Sequence, residues 1–331
     1  MKRRHFAELG TFGAALFALP MRSHAQQSPK LPRIGWLWQG RSAGNPQEMT
    51  GFRQGLKDFG YVEGQNVTVF YRFAEGHNDA IPGLLGELMQ LRPDVLVAVG
   101  APVSRLMINA VKNATDIPIV SLSSDPVAAG LVASLARPGG RVTGVSMMQG
   151  PDGLTGKRID LLKDALPTAT RVGMMFNPEY TLGEIAQAQK VASRRGITLL
   201  PSPVRRVDEI EDAITMLARE RVDAVDVEPS SPFISYQPEI ATLLLQHKIP
   251  AVSELRALIE AGGLISYGPS IFDAAKRLAY FVDRILKGAK PADLPVEQAT
   301  RFEMVVNMKT ARLLNIELSP ILLARADELI E

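Results

Sequence analysis

Strand and helix patterns alternate along this chain almost without interruption, and this alternation restricts the fold more than any other feature. Residues 94–100, DVLVAVG, form a continuous apolar run, which predicts a strand that is covered on both faces. Strands that alternate with helices form parallel sheets with helices on both faces. The two blocks on either side of residues 130–148 therefore predict an α/β fold with two doubly wound parallel-sheet lobes joined by a hinge.

The stretch GLVASLARPGGRVTGVSMM, residues 130–148, interrupts this alternation near the middle of the chain. Gly139 and Gly140 accept backbone angles that other residues resist, so residues 135–144 suit a connection that bends between the lobes. The same Pro-Gly-Gly sequence also suits a tight turn into the following strand. The sequence leaves both interpretations open.

The first 25 residues have the layout of an export signal. A basic start, Lys2-Arg3-Arg4, precedes the short apolar run of residues 9–19, and Ser23-His24-Ala25 places small residues at the two positions that a signal peptidase reads. The apolar run is shorter than the roughly 20 residues that a membrane-spanning helix needs. We therefore expect cleavage near Ala25 and a mature protein in the periplasm.

Charge and cysteine content exclude several classes of protein. Four basic residues and one acidic residue lie in the predicted signal, so its removal changes the net charge from +2 to −1 and removes the support for a nucleic-acid partner. The chain has no cysteine, which excludes disulfides, thiolate metal sites and a lipid-bearing N-terminal cysteine. Beyond the signal only His77 and His247 remain, which argues against a metal centre or a Ser-His triad.

Sequence motifs of enzymes and cofactor sites are absent. The chain contains no G-x-x-x-x-G-K-[ST] phosphate loop, and no G-x-G-x-x-G follows a predicted strand. Residues 263–268, GLISYG, are similar to a nucleophile elbow, but Leu264 replaces the required glycine and no histidine follows Ser266. We therefore expect neither catalysis nor a bound cofactor.

One motif recurs at the predicted strand ends: small or polar residues follow the strand, and a proline then opens the next helix. It occurs at Gly100-Ala101-Pro102, Ser124-Asp125-Pro126, Asn177-Pro178, Glu228-Pro229 and Gly268-Pro269. Proline suits the first helical position, and Asp, Asn or Ser before it caps the free N–H groups. Because open parallel sheets bind ligands outside the carboxyl ends of their strands, these places also predict a cleft between the lobes. Helix capping alone is the alternative for each of them.

The groups at these strand ends predict a small ligand with a carboxylate. Backbone N–H groups between Ala101 and Ser104 would receive that carboxylate without a cation. If the ligand is an amino acid, Asp125 is the first choice for its ammonium, with Asp226 and Glu228 as alternatives. The predicted ligand-binding residues are Trp38, Gln39, Gly100, Ala101, Val103, Ser104, Ser124, Asp125, Asn177, Asp226, Glu228 and Tyr267.

Aromatic residues near the strand ends predict stacking on a flat ligand. Trp36, Trp38 and Tyr267 are placed to do so. Trp36 and Trp38 alternate with Leu37, so both tryptophans share one face of the first strand, and we expect at least one of them to pack in the core.

Four stretches make the chain similar to the substrate-binding proteins of ABC transporters, in the group whose better-studied members take aromatic amino acids. They are GLVASLARPGGRVTGVS, EAGGLISYGPS, ILKGAKPADLPVEQATRFEMVVNMKTA and LLARADELIE. The family often has Asn where Arg141 stands, and Asp-Pro where Glu228-Pro229 stands. The second difference lies in the expected cleft.

The resemblance implies a periplasmic binding protein fold of type I, in which hinge closure traps the ligand between two lobes joined by several crossings. The chain then returns to the first lobe after the second. The expected N-terminal lobe comprises residues 31–147 plus about 270–295, and the expected C-terminal lobe comprises residues 148–269 plus about 296–331.

The expected function is that of an exported, monomeric solute receptor of an ABC importer. It would capture a small organic ligand, such as an amino acid or an aromatic or carboxylate compound, and pass it to a permease in the inner membrane. Two alternatives stay open: a receptor that senses the ligand for a signalling partner, and a periplasmic enzyme on the same scaffold.

Overall fold

The computed structural model describes residues 31–42, 47–111, 116–147, 153–229 and 233–331, and the predicted export signal lies outside them. The strands are β1 (Arg33–Trp38), β2 (Thr68–Phe73), β3 (Val95–Val99), β4 (Ile119–Ser123), β5 (Val142–Ser146), β6 (Arg171–Phe176), β7 (Thr198–Pro203), β8 (Ala224–Val227), β9 (Ala251–Ser253), β10 (Ile265–Pro269), β11 (Glu297–Gln298), β12 (Phe302–Asn307) and β13 (Glu328–Ile330). The helices are α1 (Gln47–Asp58), α2 (Ile81–Gln90), α3 (Ala101–Val111), α4 (Gly153–Ala165), α5 (Pro178–Arg194), α6 (Ile210–Arg219), α7 (Gln237–Gln246), α8 (Arg256–Glu260), α9 (Ile271–Leu286), α10 (Met308–Leu313) and α11 (Pro320–Leu323).

The described strands form two sheets of similar topology. The first sheet has the order β11-β5-β4-β3-β1-β2, and every neighbouring pair is parallel. The second sheet has the order β13-β12-β10-β9-β8-β6-β7, in which β12 runs antiparallel to β10 and the other pairs are parallel. The predicted α/β fold with two doubly wound, mainly parallel sheets is confirmed.

Helices cover both faces of the first sheet because its strands are apolar on both sides. Every residue of β3 and β4 is buried. Trp36 and Leu37 are neighbours on β1, yet they pack in different core clusters: Trp36 lies with Leu278 of α9, and Leu37 lies with Met107 of α3. This arrangement is the one predicted by a continuous apolar run such as DVLVAVG.

The chain passes between the two sheets at three places among the described elements. It leaves the first sheet after β5, returns between β10 and α9, and leaves again between β11 and β12. Helix α9 packs against α1 and against β3, β4 and β5. The second and third connections run side by side, since the Ser270 N–H donates to the Arg301 carbonyl at 3.0 Å. The exact lobe boundaries stay a prediction.

The Pro-Gly-Gly segment forms a turn inside the first lobe. The Ala133 N–H donates to the Pro138 carbonyl at 3.0 Å, and Gly139 has a φ of 72°. Strand β5 follows directly and pairs with β4 in the first sheet. Of the two interpretations of this segment, the turn into a strand is therefore correct. The crossing interpretation is wrong, because the chain leaves the first sheet only after β5.

Two of the five predicted helix-opening prolines are in place, since Pro102 and Pro178 lie in the first two residues of α3 and α5. The prediction for Pro126 is wrong. It begins a hydrogen-bonded turn, in which the Ala129 N–H donates to the Asp125 carbonyl at 3.0 Å and which ends at Gly130 with a φ of 68°. A glycine in the left-handed region ends the turn before a helix can continue.

The prediction for Pro269 is also wrong, whereas the prediction for Pro229 is not tested. Pro269 is the last residue of β10, paired with Phe302 of β12, and α9 begins two residues later behind the cap residue Ser270. The strand pairing therefore extends through the proline. Pro229 precedes residues 230–232, which lie outside the described residues, and the next described α-helix, α7, begins at Gln237.

No described helix has the length and apolar character needed to cross a membrane.

Candidate functional site

Each sheet reverses its strand order at one place, and four of the predicted ligand-binding residues lie there. Strand β1 lies between β2 and β3, and β6 lies between β7 and β8. Gln39 and Gly100 follow β1 and β3, whereas Asn177 and Glu228 follow β6 and β8. In doubly wound sheets the crevice outside such a reversal is the usual binding site, because the crossover helices diverge to opposite faces there.

The carboxyl edges of the two sheets face each other. Arg41, shortly after β1, pairs with Glu239 of α7 at 3.1 Å. Ile234, between β8 and α7, packs against the first-lobe core that contains Trp38. Gln47 of the first lobe and Glu254 of the second line one crevice together with residues of β10. The first two contacts involve segments that follow β1 and β8, the strands beside the two reversal points, so these points face each other across the lobes.

Two buried polar atoms at the first-lobe edge have no hydrogen-bond partner among the described residues. They are Gln39 Oε1, in a residue that is 6% exposed, and Ser123 Oγ, in a residue that is 3% exposed. Gly100 separates them in the strand order, and a Cβ on Gly100 would lie 3.2 Å from the Gln39 amide. Since a buried polar atom without a partner costs free energy, both atoms are suited to bond a ligand.

The first turn of α3 offers fewer backbone donors than the sequence predicts. The Ser104 N–H donates to the Gly100 carbonyl at 3.0 Å, and the Ser104 hydroxyl lies 2.7 Å from the Ser121 hydroxyl in the core. Pro102 has no N–H. The N–H groups of Ala101 and Val103 remain as first-turn donors, while the Val103 side chain packs in the core.

Asp125 adopts the capping role that is the alternative to ligand binding. Its Oδ1 accepts from the N–H groups of Val127 at 3.0 Å and Ala128 at 2.9 Å. Ser124 is exposed, and its carbonyl accepts from the Ser146 hydroxyl at 2.9 Å. Both residues lie at the carboxyl end of β4, beside Ser123.

The predicted aromatic residues pack mainly against protein. Trp36 is fully buried, with its ring centroid 4.8 Å from that of Phe52, so the expectation that at least one tryptophan lies in the core is confirmed. Trp38 is 6% exposed and meets Phe73 edge to face at the end of β1. Tyr267 stacks on Phe302 at 6.0 Å.

The second-lobe edge is organised around one buried guanidinium. Arg158 of α4 donates from Nε to Asp226 Oδ1 at 2.8 Å and from Nη2 to Asp226 Oδ2 at 3.0 Å. Its Nη1 donates to Glu254 Oε1 at 2.7 Å, and its Nη2 also reaches Glu228 Oε1. The Thr155 hydroxyl donates to the same Glu228 oxygen at 2.9 Å. Three carboxyl groups from the ends of β8 and β9 therefore share one cation.

Burial and excess negative charge perturb this cluster. Burial raises the pKa of Asp226 to about 6 and the pKa of Glu254 to about 7, although Arg158 opposes both shifts and Glu228 adds to them. The Arg158 pKa is well above its ordinary value, since the attraction of the carboxylates outweighs the cost of burial. The cluster therefore takes up a proton as the pH falls towards 6, and Glu254, which is 18% exposed, connects it to the crevice.

We expect the raised Glu254 pKa to make the protein less stable as the pH rises. Between the unfolded pKa near 4.5 and the folded pKa of about 7, the folded state holds a proton that the unfolded chain has lost. The unfolding free energy should therefore fall between pH 5 and pH 8, by roughly 2 kcal/mol from this group. Urea unfolding across this range should show a flatter profile for Glu254→Gln, whose amide still accepts from Arg158.

The control for this measurement is Glu87→Gln, which changes a side chain that is 55% exposed and paired with Arg72. Its profile should follow that of the wild-type protein. A Glu254→Gln profile as steep as the wild-type profile would show that this carboxyl group does not hold the proton.

Sequence reasoning missed Arg158, Ser123 and Glu254. Ser123 and Glu254 lie at the carboxyl ends of β4 and β9, so strand-end position was an available signal. Arg158 lies in the middle of a helix, and its signal is weaker: it shares the spacing of the buried residues Leu154 and Leu161.

Within the part of the chain that the structure describes, no group of three or more acidic or histidine side chains is arranged to hold a metal ion.

Comparison with known proteins shows which family this chain belongs to. A family model described as ABC transporter substrate binding protein matches residues 43–330. A tyrosine-binding protein from Clostridioides difficile is 25% identical over 270 residues, which cover 81% of this chain and 76% of the relative.

Two solved structures are similar over nearly the whole chain. A conserved domain protein from Vibrio cholerae superposes with a TM-score of 0.83 at 26% identity and covers 91% of this chain and 100% of its own. An ABC domain from Streptococcus pneumoniae in complex with L-Trp superposes with a TM-score of 0.81 at 26% identity, with the same two coverages. The two-lobed arrangement is thus shared with both structures, of which the second holds L-Trp.

Proposed function

Because the chain belongs to the ABC transporter substrate-binding protein family, we propose that it is the exported receptor of an ABC importer. As a monomer in the periplasm, it captures a small organic ligand between its two lobes and passes it to a permease in the inner membrane. The first 25 residues, with their basic start and short apolar run, support export.

The observation that carries this proposal is the pair of unpartnered atoms at the first-lobe edge. Gln39 Oε1 and Ser123 Oγ are buried at the carboxyl edge of the first sheet, where the strand order favours a ligand. A ligand enclosed there would supply the missing hydrogen bonds. An enclosed site of this kind, without a nucleophile and base pair beside it among the described residues, suits capture and release.

The ligand class that fits best is a carboxylate compound, with amino acids first. The N–H groups of Ala101 and Val103 and the Ser123 hydroxyl are donors for a carboxylate, and Gln39 Oε1 accepts from a ligand N–H or O–H. The relatives named for tyrosine and L-Trp support an amino acid. Asp125 stays our first choice for its ammonium, because both capping bonds use its Oδ1, whereas Asp226 is bonded to Arg158 through both of its oxygens.

A thermal-shift screen followed by calorimetry tests this function. The panel contains L-tryptophan, L-tyrosine, other amino acids, aromatic acids and small carboxylates. A compound that stabilises the protein should bind at least tenfold more weakly to Gln39→Leu, since the variant loses the amide that completes the site. The ligand-free variant should be as stable as the wild-type protein or more stable, because a buried atom without a partner has been removed.

Gln90→Leu is the control, since Gln90 is exposed at the end of α2, which leads into the amino end of β3 and not to the carboxyl strand ends. It should leave both affinity and stability unchanged. Equal affinity of Gln39→Leu and the wild-type protein would place the ligand elsewhere. Importer function itself is tested by ligand uptake in a strain that lacks the gene: unchanged uptake would favour sensing over transport.

A further inference from the structure

The ends of β1 and β2 are tied together beyond the strands and form a small platform, residues 39–42 and 74–76. The Gly76 N–H donates to the Gln39 carbonyl at 2.9 Å, and the Glu75 N–H donates to the Gly40 carbonyl at 3.2 Å. The Ser42 N–H donates to Glu75 Oε1 at 3.0 Å. The platform therefore holds Gln39, the residue with the unpartnered amide oxygen, in a fixed frame.

A segment of the second lobe lies directly on this platform. Residues 233–239, here called the clasp, run from a short 3-10 turn into the first turn of α7. Phe233 is fully buried in the second-lobe core, whereas the next residue, Ile234, packs against the first-lobe core. The clasp thus belongs to one lobe and contributes apolar packing to the other.

Two contacts fix the clasp to the platform. The Arg41 guanidinium lies 4.1 Å from the ring centroid of Tyr236 and donates to Glu239 Oε1 at 3.1 Å. Gly76, with a φ of 87°, lies so close to side chains of the clasp that a Cβ there would lie 3.0 Å from the Ser235 Cβ and 3.4 Å from the Tyr236 ring. Any side chain at residue 76 would therefore push the clasp away.

We propose that the clasp and the platform form the latch that holds the lobes closed, and that Arg41 and Gly76 are positioning residues that set ligand affinity through closure. This proposal rests on the closing receptor proposed above. The affinity of such a receptor depends on how stable its closed state is. The latch couples closure to the site because Gln39 lies in the platform on which the clasp rests.

The chain offers a matched pair of variants. Gly76→Ala adds a methyl group against the clasp at a positive φ. Gly64→Ala adds the same group at a φ of 79°, with no atom within 4 Å. Because the two φ angles are similar, both variants carry similar backbone strain, so the difference between them reports mainly the contact between the lobes. Arg41→Gln provides a second test that adds no strain, since it removes the charge and the contact with the Tyr236 ring.

Lobe separation can be measured with spin labels, and this measurement needs no ligand. The chain has no cysteine, so labels attach only to cysteines that are introduced. Cysteines introduced by Gln90→Cys in α2 and Arg219→Cys in α6, both exposed, carry spin labels for distance measurement by pulsed electron resonance. In the ligand-free protein we expect Gly76→Ala and Arg41→Gln to shift the distribution to longer distances. Gly64→Ala should leave it unchanged.

Calorimetry with L-tryptophan and L-tyrosine supplies the second readout. We expect roughly tenfold weaker binding for Gly76→Ala than for Gly64→Ala at equal thermal stability. Unchanged distances in both Gly76→Ala and Arg41→Gln would overturn the latch, whichever compound binds. Failure of both amino acids to bind would instead count against the proposed ligand class, since the distance measurement needs no ligand. If Gly76→Ala does not fold, Arg41→Gln decides.

Discussion

Replacement of Arg158 by methionine should lower the unfolding free energy by about 3–5 kcal/mol. The side chain is 1% exposed and is the cation shared by Asp226, Glu228 and Glu254. Methionine fills a similar length but leaves the carboxyl groups buried without a partner. Urea unfolding followed by circular dichroism at pH 7.5 measures the loss. At pH 5 the loss should be smaller, because the unpaired carboxyl groups then take up protons.

The matched control is Arg325→Met. Arg325 pairs at 2.8 Å with Asp164, which lies on the same helix α4 as Arg158, but the Arg325 side chain is 39% exposed. An exposed pair of this kind contributes less than about 1 kcal/mol. Equal losses for the two variants, or a loss for Arg158→Met that does not depend on pH, would show that the cluster is not the buried charge network described here.

The fold could be predicted from sequence because its determinants are local. The apolar run DVLVAVG gives β3, whose five residues are all buried, and the stretches around it have the spacing of amphipathic helices. Once the strands are placed, their carboxyl ends are known too. Gln39, Gly100, Asn177 and Glu228 were therefore among the predicted site residues, and they flank the reversal points of the two sheets.

The rest of the candidate site depends on contacts between distant parts of the chain. Arg158 meets Asp226 and Glu254, which lie 68 and 96 residues further along. No local pattern shows that these strand ends converge on one helix, so Asp226 looked free for a ligand. The Pro126 error has a different cause. A capped turn and a capped helix begin with the same residues, and the glycine that ends the turn, Gly130, comes four residues later.

Replacement of Gly144 by alanine should be about as damaging as the loss of Arg158, with an expected cost of about 3–5 kcal/mol. Gly144 lies in the middle of β5, directly opposite Ser121 of β4, with a φ of 138°. An added Cβ would lie 2.0 Å from the Ser121 carbonyl oxygen, which is backbone and has no alternative rotamer. The two strands would have to separate. Urea unfolding measures this cost.

Gly140→Ala is the control for this substitution, because it changes the same segment, has no atom within 4 Å of the added Cβ and needs no left-handed backbone. It should change stability by less than about 0.5 kcal/mol. Displacement of Ser121 in Gly144→Ala should also affect the candidate site, since the Ser121 hydroxyl contacts Ser104 in the first turn of α3. If the Gly144→Ala protein still folds, it should therefore bind carboxylate ligands more weakly than the wild-type protein. If both alanine variants are equally stable, β5 cannot pair with β4 in the register described here.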